Sequence, residues 1–118
     1  LLAISLKDDH VSSWAATYES AKLFGGPVEF LLGGSGHNAG VINPPSANKH
    51  GYWTNGVMPE SAEEWLEGAE KQEGSWWPHW QAKLSGGGKA EKVPARVPGD
   101  GRLKVIEAAP GSYVKNRC

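Results

Sequence analysis

The stretch Val28-Glu29-Phe30-Leu31-Leu32-Gly33-Gly34-Ser35-Gly36-His37 decides how the chain folds: an apolar run of strand length breaks off in glycines and delivers a histidine. A second run of the same design opens the sequence, where Leu1-Leu2-Ala3-Ile4-Ser5-Leu6 leads into Lys7-Asp8-Asp9-His10. Nearly continuous apolar character marks a strand covered on both faces, the habit of parallel sheets. Between the runs, Ser12-Ser13 offers a helix N-cap, Trp14, Ala15, Tyr18, Ala21 and Leu23 form an apolar stripe, and Gly25-Gly26-Pro27 stops it. Strand, helix, strand predicts a right-handed βαβ unit with parallel strands. The carboxyl ends of both strands, and with them Asp9 and His37, then meet at one sheet edge, where α/β enzymes place their chemistry.

Outward from His37 the pattern is loop-like as far as Asn55, with Pro44-Pro45 and a short apolar island at Val41-Ile42. A helix is predicted over Ser61–Lys71, with Ser61 and Glu64 as a capping box and Trp65, Leu66 and Ala69 as its face. Gly74-Ser75 introduces Trp76-Trp77-Pro78-His79-Trp80, which predicts a short helix to Leu84 capped by Ser75. Gly86-Gly87-Gly88 ends it and opens a polar tail whose apolar anchors are Leu103–Ile106 and Tyr113-Val114. The chain therefore divides into residues 1–85, carrying acid and base, and a Gly/Pro-containing tail over 86–118. Two parallel strands need further strands beside them, so the expectation is the C-terminal part of a larger α/β domain.

Composition agrees with a thin core. The 118 residues include 16 Gly and 8 Pro, hydrophobic residues make up 39%, and mean hydropathy is −0.46, which predicts much loop. A net charge of −1 with interspersed signs creates no field to attract nucleic acid or an anionic membrane, so neither is an expected partner. The single cysteine, Cys118, rules out an internal disulfide and fits a reducing compartment, so the cytoplasm is expected. No apolar run approaches the roughly 20 residues of a membrane span, and Leu1–Leu6 is too short for a signal sequence.

A histidine acting as general base needs a carboxylate to fix its tautomer and stabilise the imidazolium, and Asp9 is placed to serve His37. The order acid, then histidine, with any nucleophile before both, is that of α/β-hydrolases. A strand ending in an acid followed by a glycine loop with a histidine is also a common structural arrangement, so the residues alone leave both readings open. Asp8 is a second possible acid. His10 reads either as a hydrogen-bonding neighbour of the pair or as a solvated loop residue. Asn38, Asn43 and Lys49 either support the histidine loop and line a substrate entrance, or are ordinary turn and surface residues. His50 and His79 read as surface or packing histidines, and no Cys or His stands at ligand spacing, so no metal site is expected. Ser35 lacks the Gly-x-Ser-x-Gly frame and Cys118 sits in a polar tail, so neither reads as a nucleophile. Most of the six tryptophans are expected in packing roles, with gripping a hydrophobic polymer as the alternative.

The run Gly33-Gly34-Ser35-Gly36-His37-Asn38-Ala39-Gly40-Val41-Ile42-Asn43-Pro44-Pro45, with Lys49 and Tyr52-Trp53-Thr54-Asn55 after it, closely resembles the C-terminal region of polyhydroxyalkanoate synthases. So do Asp9-His10 before Trp14, Gly74-Ser75-Trp76-Trp77-Pro78-His79-Trp80, and Glu107-Ala108-Ala109-Pro110-Gly111-Ser112-Tyr113-Val114-Lys115, in order along nearly the whole chain. The tryptophan block and tail look most like class I or class II synthases. The resemblance implies the C-terminal portion of an α/β-hydrolase fold, its last two parallel strands with helices and a long irregular tail. It implies an acyltransferase with a Cys-His-Asp site that polymerises (R)-3-hydroxyacyl-CoA thioesters into polyester with release of CoA. Asp9 and His37 match the family's acid and base, with Asp9 either orienting His37 or helping to activate the 3-hydroxyl of the acyl group for chain elongation. The cysteine lies upstream, so this chain by itself is expected to be inactive. No cofactor beyond the CoA thioester substrate is implied. The expected partners are that substrate, the growing polyester chain, the upstream remainder of the synthase and a second copy in a homodimer at the surface of cytoplasmic polyester granules. The alternatives are a related esterase or depolymerase using serine, or a non-catalytic granule-binding module.

Overall fold

The computed structural model describes residues 1–96, 99, 101 and 103–116. Strand β1 (Leu2–Leu6) lies parallel to β2 (Glu29–Gly33) in the register Leu2 opposite Glu29 through Leu6 opposite Gly33, and helix α1 (Trp14–Ala21) makes the crossover, as expected. The helix stops at Ala21, leaving Leu23 86% exposed instead of completing the stripe.

The sheet does not end with that pair. β2 also pairs antiparallel with β3 (Tyr52–Thr54), Leu32 opposite Trp53, and β3 pairs antiparallel with β4 (Glu70–Gln72), Trp53 opposite Lys71, giving a four-stranded mixed sheet in the order β1-β2-β3-β4. Helix α2 (Ala62–Glu67) joins the last two strands, and its capping box forms as the sequence predicts. The Ser61 hydroxyl accepts from the Glu64 N–H at 3.2 Å, and the Glu64 carboxylate accepts from the Ser61 N–H at 3.3 Å. It is shorter than the expected Ser61–Lys71 because the chain turns at Gly68 into β4, while the Asn55 amide donates to the Trp65 carbonyl at 2.9 Å and closes the helix end. Charged β4 suits the sheet edge, where an apolar strand would invite further pairing.

Strand alternation gives the sheet two covered faces. On one, Phe30 and Leu32 meet Tyr18, Ala21, Ala62 and Trp65, all buried. Tyr18 and Trp65 each stand edge-on to Phe30, at ring separations of 5.2 and 5.0 Å, the favoured contact of aromatic quadrupoles. On the other face, Leu6, Leu31 and Tyr52 are buried beneath helix α3 (Trp77–Leu84) and the loop after His37; His79 of α3 packs on Tyr52 and pairs with Glu29. The first residue of α3 is Trp77, so Trp76 and not Ser75 is its N-cap; the Ser75 hydroxyl, one residue earlier, accepts the Trp77 N–H at 3.1 Å.

The expected apolar anchors of the tail hold nothing: Leu103, Val105, Ile106, Tyr113 and Val114 are all exposed, because both faces of the sheet are already taken. Among its described residues the tail forms one 3₁₀ turn, Tyr113–Lys115. No helix among the described residues is long and apolar enough to cross a membrane.

Candidate active site

Pairing between the two chain segments runs past the strand ends. The Lys7 N–H donates to the Gly33 carbonyl at 2.9 Å and the Asp8 N–H to the Ser35 carbonyl at 3.2 Å, so the acid loop and the histidine loop leave the sheet side by side. Close approach in the histidine loop depends on missing side chains. A Cβ on Gly34 would run into the His50 carbonyl, and one on Gly40 into the Gly34 carbonyl. The left-handed position is taken by Ser35 at φ 74°, a conformation that disfavours a non-glycine residue.

His37 Nδ1 then lies 2.9 Å from Asp9 Oδ2 and 3.1 Å from Oδ1. The Asp9 side chain is only 9% exposed and its Oδ1 accepts two further bonds, from the N–H groups of Val11 at 2.8 Å and Ser12 at 3.1 Å. The His37 bond first, then these backbone donors, hold the Asp9 carboxyl down at about 2. An ionised carboxylate at Nδ1 makes that nitrogen the donor, so the neutral ring keeps its lone pair on Nε2. The His37 side chain is 47% exposed, and Nε2 has no hydrogen-bond partner among the described residues. The arrangement can accept a proton at Nε2 and stabilise the resulting imidazolium.

The other sequence candidates separate. Asp8 contributes its backbone and not its carboxylate. The exposed His10 ring stands 6.4 Å from that of His37, an edge contact without a hydrogen bond. Asn38 is exposed and only its carbonyl is used, accepting the Ile42 N–H at 3.0 Å. Asn43 is 2% exposed: its amide donates to the Lys49 carbonyl and to that of Gly74 at 3.4 Å, and its side-chain oxygen accepts the Lys49 N–H at 3.1 Å, bracing the loop. Exposed Lys49 and His50 serve that loop through their backbones. His79 binds Glu29 at 2.5 Å at the far end of β2, where Lys83 joins the same carboxylate. Cys118 lies outside the described residues.

The sequence similarity is unambiguous in direction. No family model matches the chain. The poly(3-hydroxyalkanoate) polymerase subunit PhaC of Cupriavidus necator is 48% identical over 112 residues, 95% of this chain and 19% of that protein. The PhaC subunit of Rhizobium etli is 45% identical over 114 residues, covering 97% and 18%. Poly(3-hydroxyalkanoate) polymerase 1 of Ectopseudomonas oleovorans is 41% identical over 111 residues, covering 93% and 20%. This chain is homologous to the poly(3-hydroxyalkanoate) polymerases. It spans about a fifth of the length of these relatives and corresponds to their C-terminal part.

In this polymerase homologue, sequence reasoning missed the groups that tie the histidine loop to α3. Ser75 donates to the Asn43 carbonyl, and the indoles of Trp76 and Trp77 both donate to the Val41 carbonyl, at 3.1 and 2.9 Å. The tryptophan pair itself was conspicuous in the sequence, but nothing local names a carbonyl 35 residues away as its partner. Among the described residues no cluster of His, Cys, Asp and Glu could hold a metal ion.

Proposed function

We propose that this chain supplies the acid and base of a polyhydroxyalkanoate synthase, a polymerising acyltransferase on an α/β-hydrolase core, with residues 1–85 as its catalytic portion and 86–118 as its tail. The observation that carries the reading is the Asp9–His37 contact of 2.9 Å, which leaves Nε2 available. The names of the homologues supply the reaction class.

In this reading Nε2 of His37 takes the proton of a cysteine thiol supplied upstream. The thiolate attacks the thioester carbonyl of an (R)-3-hydroxyacyl-CoA, the carbon–sulfur bond to CoA breaks, and His37 returns the proton to the departing CoA thiolate, leaving an acyl-enzyme. A 3-hydroxyl oxygen then attacks an acyl thioester, giving its proton to Nε2 of His37; the acyl carbon–sulfur bond breaks as the ester forms, and the released thiolate takes that proton, extending the polyester by one unit. Asp9 acts by orienting His37: both carboxylate oxygens are engaged by Nδ1 and Oδ1 also by two backbone N–H groups, which leaves little of the group to meet a substrate hydroxyl. The chain alone lacks a nucleophile and turns nothing over. The whole enzyme works as a homodimer on cytoplasmic polyester granules.

CoA release from (R)-3-hydroxybutyryl-CoA by the full-length synthase tests the assignment. His37→Ala should lose about 10²–10⁴-fold in turnover, the usual contribution of a positioned base. Asp9→Asn should slow single-turnover acylation as well as elongation. Wild-type turnover in His37→Ala would refute the base assignment, and an Asp9→Asn enzyme that acylates normally but fails to elongate would move Asp9 to the hydroxyl.

A further inference from the structure

We propose that Trp76 and Trp77 are positioning residues for His37, acting through the carbonyl of Val41; the inference rests on the reading of His37 as the base. After Gly33 the histidine loop is outside the sheet and is held as a series of turns. Ala39 N–H donates to the Gly36 carbonyl at 3.1 Å, Ile42 N–H to the Asn38 carbonyl at 3.0 Å, and Asn43 N–H to the Val41 carbonyl at 3.0 Å. Such a segment keeps its shape only if its ends are fixed. Its near end is fixed by the Asp8–Ser35 bond and by Asp9 itself. Its far end is fixed by α3.

That far attachment is unusually well specified. Besides the Asn43 N–H of its own loop, the Val41 carbonyl oxygen accepts two indole N–H groups, donated by residues adjacent in the chain. Neighbouring residues in a regular helix point about 100° apart. Trp76 at the N-cap and Trp77 at the first helical position nevertheless bring their indole nitrogens to one oxygen. The Trp76 ring is further packed on Trp80 at 5.8 Å, and Ser75, immediately before the pair, donates to the carbonyl of buried Asn43. Val41 is four residues from His37, one turn away through the 36–42 bonds, so a sliding Val41 carries the imidazole with it.

Double donation makes the pair redundant. Removing one indole N–H leaves the other joining Val41 to α3, whereas removing both leaves the Val41 carbonyl with only the Asn43 N–H of its own loop, and a displacement on the order of 1 Å at a reacting group can cost about 10²-fold.

The test uses the full-length synthase with Trp76→Phe, Trp77→Phe and both together, which keep aromatic bulk and delete the donors. Two quantities are read: steady-state CoA release, and the pH midpoint for iodoacetamide alkylation of the nucleophilic cysteine, located by peptide mass. Either single change should cost a few-fold. The double change should lower kcat about 10²-fold with KM within about twofold, and move the alkylation midpoint up toward the roughly 8.5 of a free thiol as the imidazole loses its place. A purely structural role would leave that midpoint where it is. Should the double variant not fold, Trp77→Phe with Ser75→Ala removes an indole and the neighbouring hydroxyl and carries the same expectation. A double variant with wild-type kcat and midpoint overturns the proposal provided His37→Ala shifts the midpoint. If His37→Ala leaves the midpoint unmoved, the base assignment is what fails.

Discussion

Replacing Gly34 with alanine puts a methyl group where the backbone of another loop already lies. The new Cβ would sit about 1.3 Å inside the 3.4 Å at which ordinary contact with the His50 carbonyl oxygen begins. Neither side yields readily: the Gly34 N–H is bonded to the Gly51 carbonyl at 3.0 Å, and His50 is itself held at φ 69°. Separation must come from moving the histidine loop away from β3, by a distance comparable with the misplacement that costs about 10²-fold at a reacting group, together with about 1–3 kcal/mol of overpacking strain. Gly36 is the control, since a Cβ there meets only the Asp8 carbonyl at 3.4 Å and its φ is ordinary, although it adjoins the histidine. In full-length synthase, Gly34→Ala should therefore lose about two orders of magnitude in CoA release with a lowered Tm, while Gly36→Ala stays within a few-fold of wild type. Equal activity in the two variants, or a larger loss at Gly36, would refute the idea that backbone crowding behind the loop sets the position of His37.

The depressed Asp9 carboxyl gives a pH dependence of known sign. Its folded value, about 2, lies below the unfolded value near 3.8, so its contribution to stability is complete above about pH 4 and is lost as pH falls toward 2. Carboxyl-carbon NMR should show Asp9 titrating near the lower figure, and rising in His37→Ala without reaching the ordinary value because the Val11 and Ser12 donors remain; a midpoint near 4 in the wild type would contradict the contact. Phe30→Ala removes the ring between Tyr18 and Trp65 and should cost about 3–5 kcal/mol in denaturant unfolding; a loss below about 1 kcal/mol would mean that this aromatic cluster is not packed as described.

The parts of the fold that were legible in sequence are those whose signal is local. Leu2–Leu6 and Glu29–Gly33 declare themselves by apolar runs cut off at polar or glycine residues, and their crossover length fixes them parallel, which is enough to bring Asp9 beside His37. The capping box of α2 needs only Ser61 and Glu64 at the right spacing. Strands β3 and β4 gave no such signal. Tyr52-Trp53-Thr54 is too short to show alternation, and Glu70-Lys71-Gln72 is held by its neighbour's backbone and not by any apolar side of its own. The braces of the site were hidden for a related reason. Asn43 and Val41 are bound by Ser75, Trp76 and Trp77, whose arrival depends on where β2, β3 and α3 have already been placed.

Helix α3 grips β2 at both ends. Near Trp77 it holds the loop leaving the strand, and at His79 and Lys83 it clasps Glu29 where the strand begins. The two clamps differ in kind: the lower one is an ionic contact open to dissolved salt, and the upper one is a pair of neutral indole bonds that salt scarcely touches. Brine should thus slacken the foot of the helix while its head keeps hold of the loop that carries His37.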